Sequence, residues 1–376
     1  MAKKTYDIAA YIWPSYTGDE LRSRIFWSEG YGEWQSVKNA EANAKYKLDW
    51  YKDHWRGRQP MWGYVNEANP DVMQMQIDCA VSHGVNVFIY DWYWYDGRPF
   101  LENCLNDGFL GAKNNGKMKF YLMWANHDVG HTWDIRNSGK VDQLIWRGTV
   151  TDEDYKKIVD RWITKYFSHP SYYKIDGCPV LMLYNPANFI KSFGGIEGAN
   201  RAIAYLREET VKAGFPGVHM QMIAVKNFAK NYSGVDSPMT DTEVFKALDI
   251  DSLTHYQWVS ISNPDRDYED WAKDAQDEYR KMDEEGVTYV PHVSLGWDNN
   301  PRFLDYREGV VRNATPDKVE AAFRVAKNYV DTHNFPTPLI TVNSWNEWTE
   351  TSYLQPDYLY GYGYLDAVKK VFVDGE

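Results

Sequence analysis

The sequence lacks most of the features that would place a protein in a membrane, on nucleic acid or in a disulfide-stapled class. It has only three cysteines, Cys79, Cys104 and Cys178, and no paired spacing, which argues against a disulfide framework or a zinc knuckle. No stretch approaches the roughly 18 apolar residues that a membrane-spanning helix needs. Acidic residues outnumber basic residues, and the resulting net charge of −12 argues against nucleic acid and anionic membranes as partners.

Signals for processing or for separate domains are also missing. The N-terminal stretch "MAKKTYDIAAY" is basic but has no apolar segment before a cleavage site. We therefore expect a cytoplasmic protein as the sequence stands; a periplasmic or secreted protein is the alternative if a signal peptide has been removed. No Pro/Ser-rich linker or low-complexity tract interrupts the chain. The prediction is one catalytic domain over residues 1–376, monomeric and without a cofactor.

Aromatic residues, in contrast, are abundant. They make up 16 % of the chain, with 17 Trp and 29 Tyr. Flat rings beside polar groups suit a cleft for sugars, because the apolar faces of a pyranose lie against aromatic rings while its hydroxyls seek hydrogen bonds.

Short apolar runs recur along the whole chain and predict β-strands. Most are continuously apolar rather than alternating, which is typical of parallel strands covered on both faces. The eight runs are residues 8–12, 85–90, 119–124, 179–184, 218–225, 250–256, 288–295 and 339–345.

Helical patterns lie between these runs. Thr151 is a predicted N-cap, and Asn69-Pro70 and Thr315-Pro316 are predicted helix starts. A further helix carries Trp271, Ala275, Tyr279 and Met282 and ends at Gly286. Weaker patterns predict helices over 97–110 and 196–213, a short one near 240–248 and a last one near 358–373.

Eight strand–helix units in alternation predict a (β/α)8, or TIM, barrel. A doubly wound sheet is the runner-up. That fold requires a glycine-rich phosphate-binding turn after the first strand. The chain has "WPSYTGDE" at this place, which is not such a pattern. Residues 13–66 are too many for an ordinary connection after strand 1, so they are predicted to form a long insertion over the catalytic face.

Polar and aromatic residues gather where the predicted strands end, which is where barrels of this kind place their active sites. The candidates for substrate binding are Tyr11, Trp13, Asp91, Trp92, Tyr93, Asn126, His127, Tyr184, His255, Tyr256, Trp297, Asp298, Arg302, Asn346 and Trp348.

Several of these candidates have structural alternatives. Asp91 could cap the following helix, His255 could be a core histidine, and Asp298 could pair with Arg302 inside a loop. Asn126-His127-Asp128 could bind a metal, but nine histidines offer no convincing ligand set, so no metal site is predicted. Lys226 could form a Schiff base, but it lacks an aldolase-like context.

The strongest signal follows strand 8, in "TVNSWNEWTETSYLQPD". Glycosidic cleavage needs a proton donor for the leaving oxygen and a second carboxylate acting on the other face of the sugar. Glu347 and Glu350, three residues apart beside Trp345 and Trp348, are the predicted catalytic pair. Two glutamates on a solvated loop are the alternative.

Five segments together resemble the WbsX-like proteins, relatives of glycoside hydrolase family 99, the endo-α-mannosidase and endo-α-mannanase family. They are "NSWNEWTETSYLQPD", "GWDNNPR", "FIYDWYWYDG", "MWANHD" and "AAYIWPSY", and the likeness runs over about residues 6–372. The chain departs from the family 99 pattern at Thr349 and Thr351, and also in the segment "AAYIWPSY" near its start.

The resemblance implies a retaining glycosidase that needs no metal. Glu347 would act as a base on the sugar 2-hydroxyl, whose oxygen attacks C1, and Glu350 would be the general acid/base. Two alternatives stay open. One is a glycosyltransferase of surface-polysaccharide synthesis, and the other is a catalytically silent carbohydrate-binding barrel.

Overall fold

Eight parallel strands form the centre of the protein in a computed structural model that describes residues 5–18, 20–40, 43–137, 143–225 and 239–375. In chain order these strands, β1 to β8, are Asp7–Ile12, Val87–Tyr95, Lys119–Trp124, Cys178–Leu183, His219–Ile223, Ser252–Thr254, His292–Ser294 and Leu339–Asn343. They are hydrogen-bonded in the order β6-β5-β4-β3-β2-β1-β8-β7. A parallel bridge between Leu253 and Tyr289 joins the two ends. The predicted (β/α)8 barrel is confirmed.

Parallel pairing brings the carboxyl ends of the strands to one mouth of the barrel. Ala9 of β1, for example, pairs with Val87 of β2 on one side and with Thr341 of β8 on the other. Every residue of β2, β7 and β8 is buried, as expected for strands covered by helices on their outer side. Side chains that follow the strands therefore converge on a common space.

Helices and short turns surround the sheet. The α-helices α1 to α10 are Trp34–Asn39, Asp49–Trp55, Pro70–Ser82, Asp152–Arg161, Pro186–Ser192, Ile196–Lys212, Asp241–Ala247, Tyr268–Glu284, Pro316–Thr332 and Gly363–Val368. Single π-helical segments cover Cys104–Phe109, Trp162–Phe167 and Lys369–Asp374. Short 3₁₀ turns include His131–Trp133, Asn300–Arg302 and Trp348–Glu350.

The helix boundaries follow the sequence signals. Thr151 accepts a hydrogen bond from the backbone N–H of Asp154 and so caps α4, and Asn69 caps α3 ahead of Pro70. Gly84 and Gly286, with φ of +91° and +65°, take the left-handed conformation that ends α3 and α8. No helix in the described ranges is long and apolar enough to cross a membrane, and the three cysteines are free thiols.

Two predicted helices differ from the structure. Residues 97–110 do not form one helix, because Asp96 and Gly97 have positive φ and turn the chain into a hairpin in which Arg98–Phe100 pairs with the end of β2. The last helix starts at Gly363 rather than near 358. Before it, the Asp357 side chain accepts the N–H of Tyr360 and holds a turn through Gly361.

The segment 13–66 is anchored to the barrel at Asp298, which follows β7. One carboxylate oxygen accepts hydrogen bonds from Tyr51 at 2.8 Å and from Trp55 at 3.0 Å, both on α2. The other accepts two from Asn300. Burial opposes ionisation of Asp298, but the nearby His54 imidazole and the hydrogen bonds from Asn300 outweigh it and lower its pKa to about 2. The charged form of Asp298 is the one that holds α2 in place.

This anchor gives a pH-dependent contribution to stability. The pKa of Asp298 is lower in the folded than in the unfolded chain, so its contribution is complete above about pH 4 and is lost as the pH falls towards 2. Asp298→Asn should therefore reduce the free energy of unfolding by roughly 2 kcal/mol at pH 7 and by about half of that at pH 3.

Urea unfolding followed by tryptophan fluorescence between pH 7 and pH 3 measures this difference. Asp305→Asn makes the same chemical change at an exposed position of the same loop and serves as the control. A difference that does not shrink as the pH falls would contradict the assignment.

Candidate active site

A cavity of about 500 Å³ opens at the carboxyl mouth of the barrel. It brings together nine of the residues predicted from the sequence: Trp13, Asp91, Tyr93, His127, Tyr184, Tyr256, Arg302, Glu347 and Glu350. Its other lining residues include Met123, Trp133, Asn185, Asn188 and Val225. Charged groups and aromatic rings from at least five strands therefore face one space.

Arg302 is the centre of this site. Its Nη1 donates to Glu350 Oε1 at 2.6 Å, and its Nη2 donates to Glu347 Oε1 at 2.7 Å. Its Nε donates to Glu33 Oε1 at 2.9 Å. One guanidinium thus contacts three carboxylates, and its planar fork sets the position of Glu347 relative to Glu350.

The chain after β8 is folded so that both glutamates face the cavity. Asn346–Glu347 pairs antiparallel with Ser352–Tyr353, and between them lies the 3₁₀ turn that carries Glu350. Ser344 Oγ accepts the N–H of Glu347 at 2.7 Å, and the carbonyl of Glu350 accepts the N–H of Asp298 at 2.8 Å. The two carboxylates are therefore fixed by backbone contacts as well as by Arg302.

The oxygens of the two glutamates have different surroundings. Oε1 of Glu347 accepts a hydrogen bond from Arg302, and Oε2 of Glu347 accepts one from the Tyr256 hydroxyl at 3.0 Å. Glu350 accepts from Arg302 on Oε1, while its buried Oε2 has no hydrogen-bond partner among the described residues. Both Glu347 oxygens are thus occupied by donors, whereas one Glu350 oxygen is left without a donor.

Burial and mutual repulsion raise the pKa of the glutamate pair. For Glu347 burial acts first and the Glu350 carboxylate second, and the positive Arg302 opposes both; for Glu350 burial is also the largest cause and Arg302 opposes it. Such a pair titrates jointly and holds a proton above the usual range of a carboxylic acid. Two donors stabilise the ionised form of Glu347, whereas Oε2 of Glu350 has none, and this difference in hydrogen bonding favours the shared proton on Glu350.

Tyr256 links this pair to a further carboxylate. Its hydroxyl lies 3.0 Å from Glu347 Oε2 and 3.1 Å from Asp91 Oδ2. Burial and the neighbouring carboxylates raise the pKa of Tyr256, which keeps its proton for donation. Asp91 lies within β2, so the alternative of a helix cap is wrong.

Aromatic rings form a continuous wall beside the carboxylates. Trp13 packs on Trp133 with ring centroids 5.0 Å apart, and both approach Tyr93. His127 continues the wall to Tyr184, which packs against Tyr256. Burial lowers the pKa of His127 and keeps its imidazole neutral.

Three predicted residues, Tyr11, Asn126 and His255, are buried and do not line the cavity. The Tyr11 hydroxyl donates to the carbonyl of His255, and His255 Nδ1 lies 2.8 Å from the Tyr289 hydroxyl. His255 borders a separate cavity of about 110 Å³. Asn126 exchanges hydrogen bonds with the backbone of Asn185. Because these polar groups bind other parts of the protein, their prediction as direct substrate contacts is corrected.

Trp92 and Trp348 are also turned away from the cavity. Trp92 lies between Asp91 and Tyr93 in β2, and alternation along the strand directs it outward, where its Nε1 donates to Glu102 at 2.7 Å. Trp348 is buried, stacks on Tyr353 and donates to Gln355. Both tryptophans pack the protein and do not face a ligand.

Asn346 belongs to a buried network behind the glutamates. Its amide exchanges hydrogen bonds with the backbone of Trp13 and donates to Glu67 Oε2 at 2.7 Å. Glu67 also accepts from Gln76 and Gln355. Burial raises the pKa of Glu67 to about 7, against the opposing effect of these three amides. Asn346 thus positions Glu347 and does not contact the cavity.

Asp298 and Trp297 likewise lie outside the cavity lining. Asp298 is fully buried and contacts α2, as described above, and it forms no ion pair with Arg302. Trp297 is partly buried against the core. The polar run after β7 therefore supplies one residue to the cavity, Arg302. Lys226 lies outside the described residues.

Among the residues that were not predicted, Glu33 and Trp133 contribute most to the site. Glu33 lies in the insertion and is fully buried, where it accepts hydrogen bonds from Arg302, Trp13 and Thr349. Trp133 lies in the long connection after β3. Neither follows a strand directly, so the rule that located the other residues does not reach them. A carboxylate within an otherwise aromatic insertion, "GYGEWQSV", was the available signal for Glu33.

No group of three or more His, Cys, Asp and Glu side chains suited to a metal ion occurs in the part of the chain that the structure describes. The cluster around Arg302 has its own cation, so its carboxylates are already compensated by the guanidinium. The Asn126-His127-Asp128 alternative is weakened by the contacts of Asn126 with Asn185.

The Glu33 contact gives a testable electrostatic effect. The negative charge of Glu33 raises the pKa of Glu347 and Glu350, partly by offsetting Arg302. Glu33→Gln should therefore make the glutamate pair titrate at lower pH. Infrared difference spectra of the protonated carboxyl band across a pH series measure the shift, with Glu350→Gln to assign the band. Glu29→Gln, an exposed change in the same insertion, should leave the titration in place, and an unshifted band in Glu33→Gln would contradict the idea.

The barrel is similar to those of several known proteins. Solved structures with the same fold include a GH99 endo-α-mannosidase from Bacteroides thetaiotaomicron in complex with bis-tris propane. It has a TM-score of 0.57, 13 % identity and coverage of 98 % of this chain and 96 % of that chain. Another is a "glycoside hydrolase-like protein", with a TM-score of 0.57, 14 % identity and coverage of 99 % and 95 %. These likenesses show a shared barrel fold.

Sequence relatives were also found. The uncharacterized protein WxcX of Xanthomonas campestris pv. campestris is 27 % identical over 356 residues, which are 92 % of this chain and 46 % of that protein. This chain thus spans about half the length of that relative. A family profile described as "Glycosyltransferase WbsX" matches residues 9–368. The chain therefore belongs to the WbsX family, on a barrel that it shares with GH99 enzymes.

Proposed function

We propose that the protein is a glycoside hydrolase that cleaves a glycosidic bond in a poly- or oligosaccharide with retention of configuration. The observation that carries the proposal is the glutamate pair on Arg302. Glu347 and Glu350 bind different nitrogens of one guanidinium, and of the two only Glu350 has an oxygen without a hydrogen-bond donor among the described residues. Two carboxylates with different surroundings are what acid/base cleavage of a glycoside requires.

Glu350 fits the role of general acid/base. In the first step its Oε2–H gives a proton to the glycosidic oxygen while the bond from C1 to that oxygen breaks. In the second step the ionised Glu350 takes a proton from water, whose oxygen attacks C1. The raised pKa of the pair keeps this proton bound at pH values above the usual range of a carboxylic acid.

Glu347 fits the role of a base on the sugar itself. With its carboxylate held by Arg302 and Tyr256, it would accept the proton of the 2-hydroxyl as that oxygen attacks C1 and forms a 1,2-anhydro sugar. Reversal of this transfer accompanies the attack of water. The assignment follows the resemblance to family 99 and agrees with the two donors that favour the ionised form of Glu347.

The lining of the cavity supports a carbohydrate ligand. Rings of Trp13, Tyr93, Trp133, Tyr184 and Tyr256 offer flat apolar faces, while carboxylates between them offer acceptors for hydroxyl groups. About 500 Å³ is in the range of small-ligand sites and holds one or two sugar rings.

The family description raises glycosyl transfer as a second candidate function. A transferase that uses a nucleotide diphosphate needs cationic groups for the phosphates. The described lining has one such cation, Arg302, and it is already shared among three carboxylates. The balance of charge therefore favours hydrolysis over transfer from a phosphorylated donor.

A screen of the purified protein against neutral, amino and acidic polysaccharides and their oligosaccharides tests the proposal. Chromatography should detect shorter products, and NMR of the first product should show the anomer of the substrate. Release of products only when a nucleotide sugar is supplied would favour the transferase. Binding without cleavage of any polymer would favour the silent barrel.

The two glutamates should fail differently when replaced. Glu350→Gln removes the proton for the leaving oxygen, so a substrate with a poor leaving group should lose roughly 10²–10⁴-fold in rate, and an activated aryl glycoside should recover part of it. The alkaline fall of kcat/KM, which reports loss of that proton, should disappear. Glu347→Gln removes the base for the internal nucleophile and should slow both substrates.

Steady-state kinetics on both substrate types measure this pattern, with folding checked by circular dichroism. Glu308→Gln, at an exposed position of the loop after β7, is the matched control. Rescue of Glu347→Gln rather than Glu350→Gln would reverse the roles. Near-wild-type rates in both folded variants would place the chemistry elsewhere.

Chelation should leave the activity unchanged. The proposed steps use only the side chains around Arg302, and the described residues offer no metal-ligand cluster. Rates measured before and after exhaustive dialysis against EDTA test this. A loss that one divalent ion restores would contradict the mechanism.

A further inference from the structure

The Tyr256 hydroxyl lies between two carboxyl groups but has only one hydrogen. Its oxygen is 3.0 Å from Glu347 Oε2 and 3.1 Å from Asp91 Oδ2, and both are hydrogen-bond distances. The hydroxyl can donate to only one of these oxygens. If both carboxyl groups were ionised, the other oxygen would face the Tyr256 oxygen with no hydrogen between them. One of the two carboxyl groups must therefore hold a hydrogen of its own and donate it to Tyr256.

The surroundings of the two carboxyl groups decide which of them holds this hydrogen. Glu347 forms an ion pair with Arg302 at 2.7 Å, so a cation compensates its ionised form. Asp91 is only 4 % exposed, and its buried Oδ1 has no hydrogen-bond partner among the described residues. A buried, unpaired oxygen costs much more free energy in an ionised carboxylate than in a neutral acid. This difference favours the hydrogen on Asp91.

The charges around Asp91 favour the same state. The titratable groups around it in the described part of the chain are Tyr11, Tyr93, Tyr184, Tyr256, Glu347 and Glu350, with the neutral His127 and with Arg302 in the same cavity lining. Arg302 is the one cation among them, and it is shared by three other carboxylates. Burial is the largest cause that raises the pKa of Asp91 well above its usual range, and the hydrogen bond with Tyr256 opposes it.

We infer that Asp91 is a neutral acid that positions Tyr256: Oδ2–H of Asp91 donates to the Tyr256 oxygen, and the Tyr256 hydroxyl donates to Glu347 Oε2. The two hydrogen bonds then point in one direction, from β2 through the residue after β6 to the residue after β8. A buried carboxylic acid can be kept neutral so that it acts as a donor.

This arrangement makes Asp91 a positioning residue for the proposed base. A Tyr256 hydrogen held on Glu347 stabilises the ionised form of that glutamate, which is the form that can accept a proton from a sugar hydroxyl. The consequence for turnover rests on the proposed function, whereas the placement of the hydrogens does not.

Infrared spectroscopy tests the placement of the hydrogens without a substrate. A protonated carboxyl group has a carbonyl band that an ionised one lacks, and an isotopic carbon label in the aspartate carboxyl shifts the band of an aspartic acid only. At neutral pH we expect a labelled band that persists in Glu350→Gln, disappears in Asp91→Asn and shifts in Tyr256→Phe, which removes the acceptor. Asp160→Asn, at an exposed position on α4, should leave this band in place.

Two results would overturn the inference. One is a wild-type protein without any labelled band of a protonated aspartate, and this result needs no variant to fold. The other is a set of labelled bands that is the same in the wild type and in Asp91→Asn.

Kinetics test the positioning role. Asp91→Leu has a similar volume and no donor, so it should lower kcat/KM by roughly 10-fold, the value of one hydrogen bond to a charged group. The acidic fall of kcat/KM should move to higher pH, because the ionised form of Glu347 is less well stabilised. Asp91→Asn is neutral and can donate an N–H to Tyr256, so it should recover most of the lost rate and the position of the acidic fall.

An Asp91→Asn variant that is folded by circular dichroism and as slow as Asp91→Leu would overturn the positioning role. A pH profile of Asp91→Asn moved to lower pH would show that a negative charge had been removed, and it would overturn the neutral acid. The substrate screen fails separately from these tests. The aspartate band in a protein that cleaves no polymer would reject hydrolysis and keep the neutral acid, and cleavage without that band would reject the neutral acid and keep hydrolysis.

Discussion

The active-site region depends on one guanidinium placed among three carboxylates. If Arg302 were absent, the carboxylates of Glu33, Glu347 and Glu350 would be like charges buried together. Each of them would then have to take up a proton or become exposed to water. With Arg302 present, the carboxylates are held in fixed directions, and an excess of negative charge remains. That excess raises the pKa of the glutamate pair, which therefore keeps a proton.

The insertion after β1 is part of this arrangement rather than a cover over it. Its Glu33 binds Arg302, and its Trp13 is part of the aromatic wall. Its helix α2 contacts Asp298 in the loop after β7. The loop that carries Arg302 is therefore fixed from both sides: Asp298 contacts the insertion, and the backbone N–H of Asp298 contacts the carbonyl of Glu350. Within this short loop, Asp298 holds the structure together and Arg302 faces the cavity.

The barrel and the mouth that carries the site followed from the sequence, because apolar runs and strand ends are local signals. The direction in which each side chain points was harder to predict from the sequence. Alternation in β2 would have separated Asp91 and Tyr93 from Trp92, whereas Asn126 and Asn346 are polar groups at strand ends that bind the protein itself. Glu33 was out of reach, since its role is set by contact with a residue 269 positions away.

That separation has a consequence for how the protein acquires activity. Arg302 meets Glu33 across 269 residues, and Trp13 meets Asn346 across 333. Contacts between such distant parts of a chain form slowly and late, since the closure of long loops precedes them. A ribosome-bound or partly refolded chain that lacks β8 has neither glutamate of the pair. The proposed catalysis would therefore begin only when the first and last strands meet, and recovered turnover would be a measure of a completed barrel.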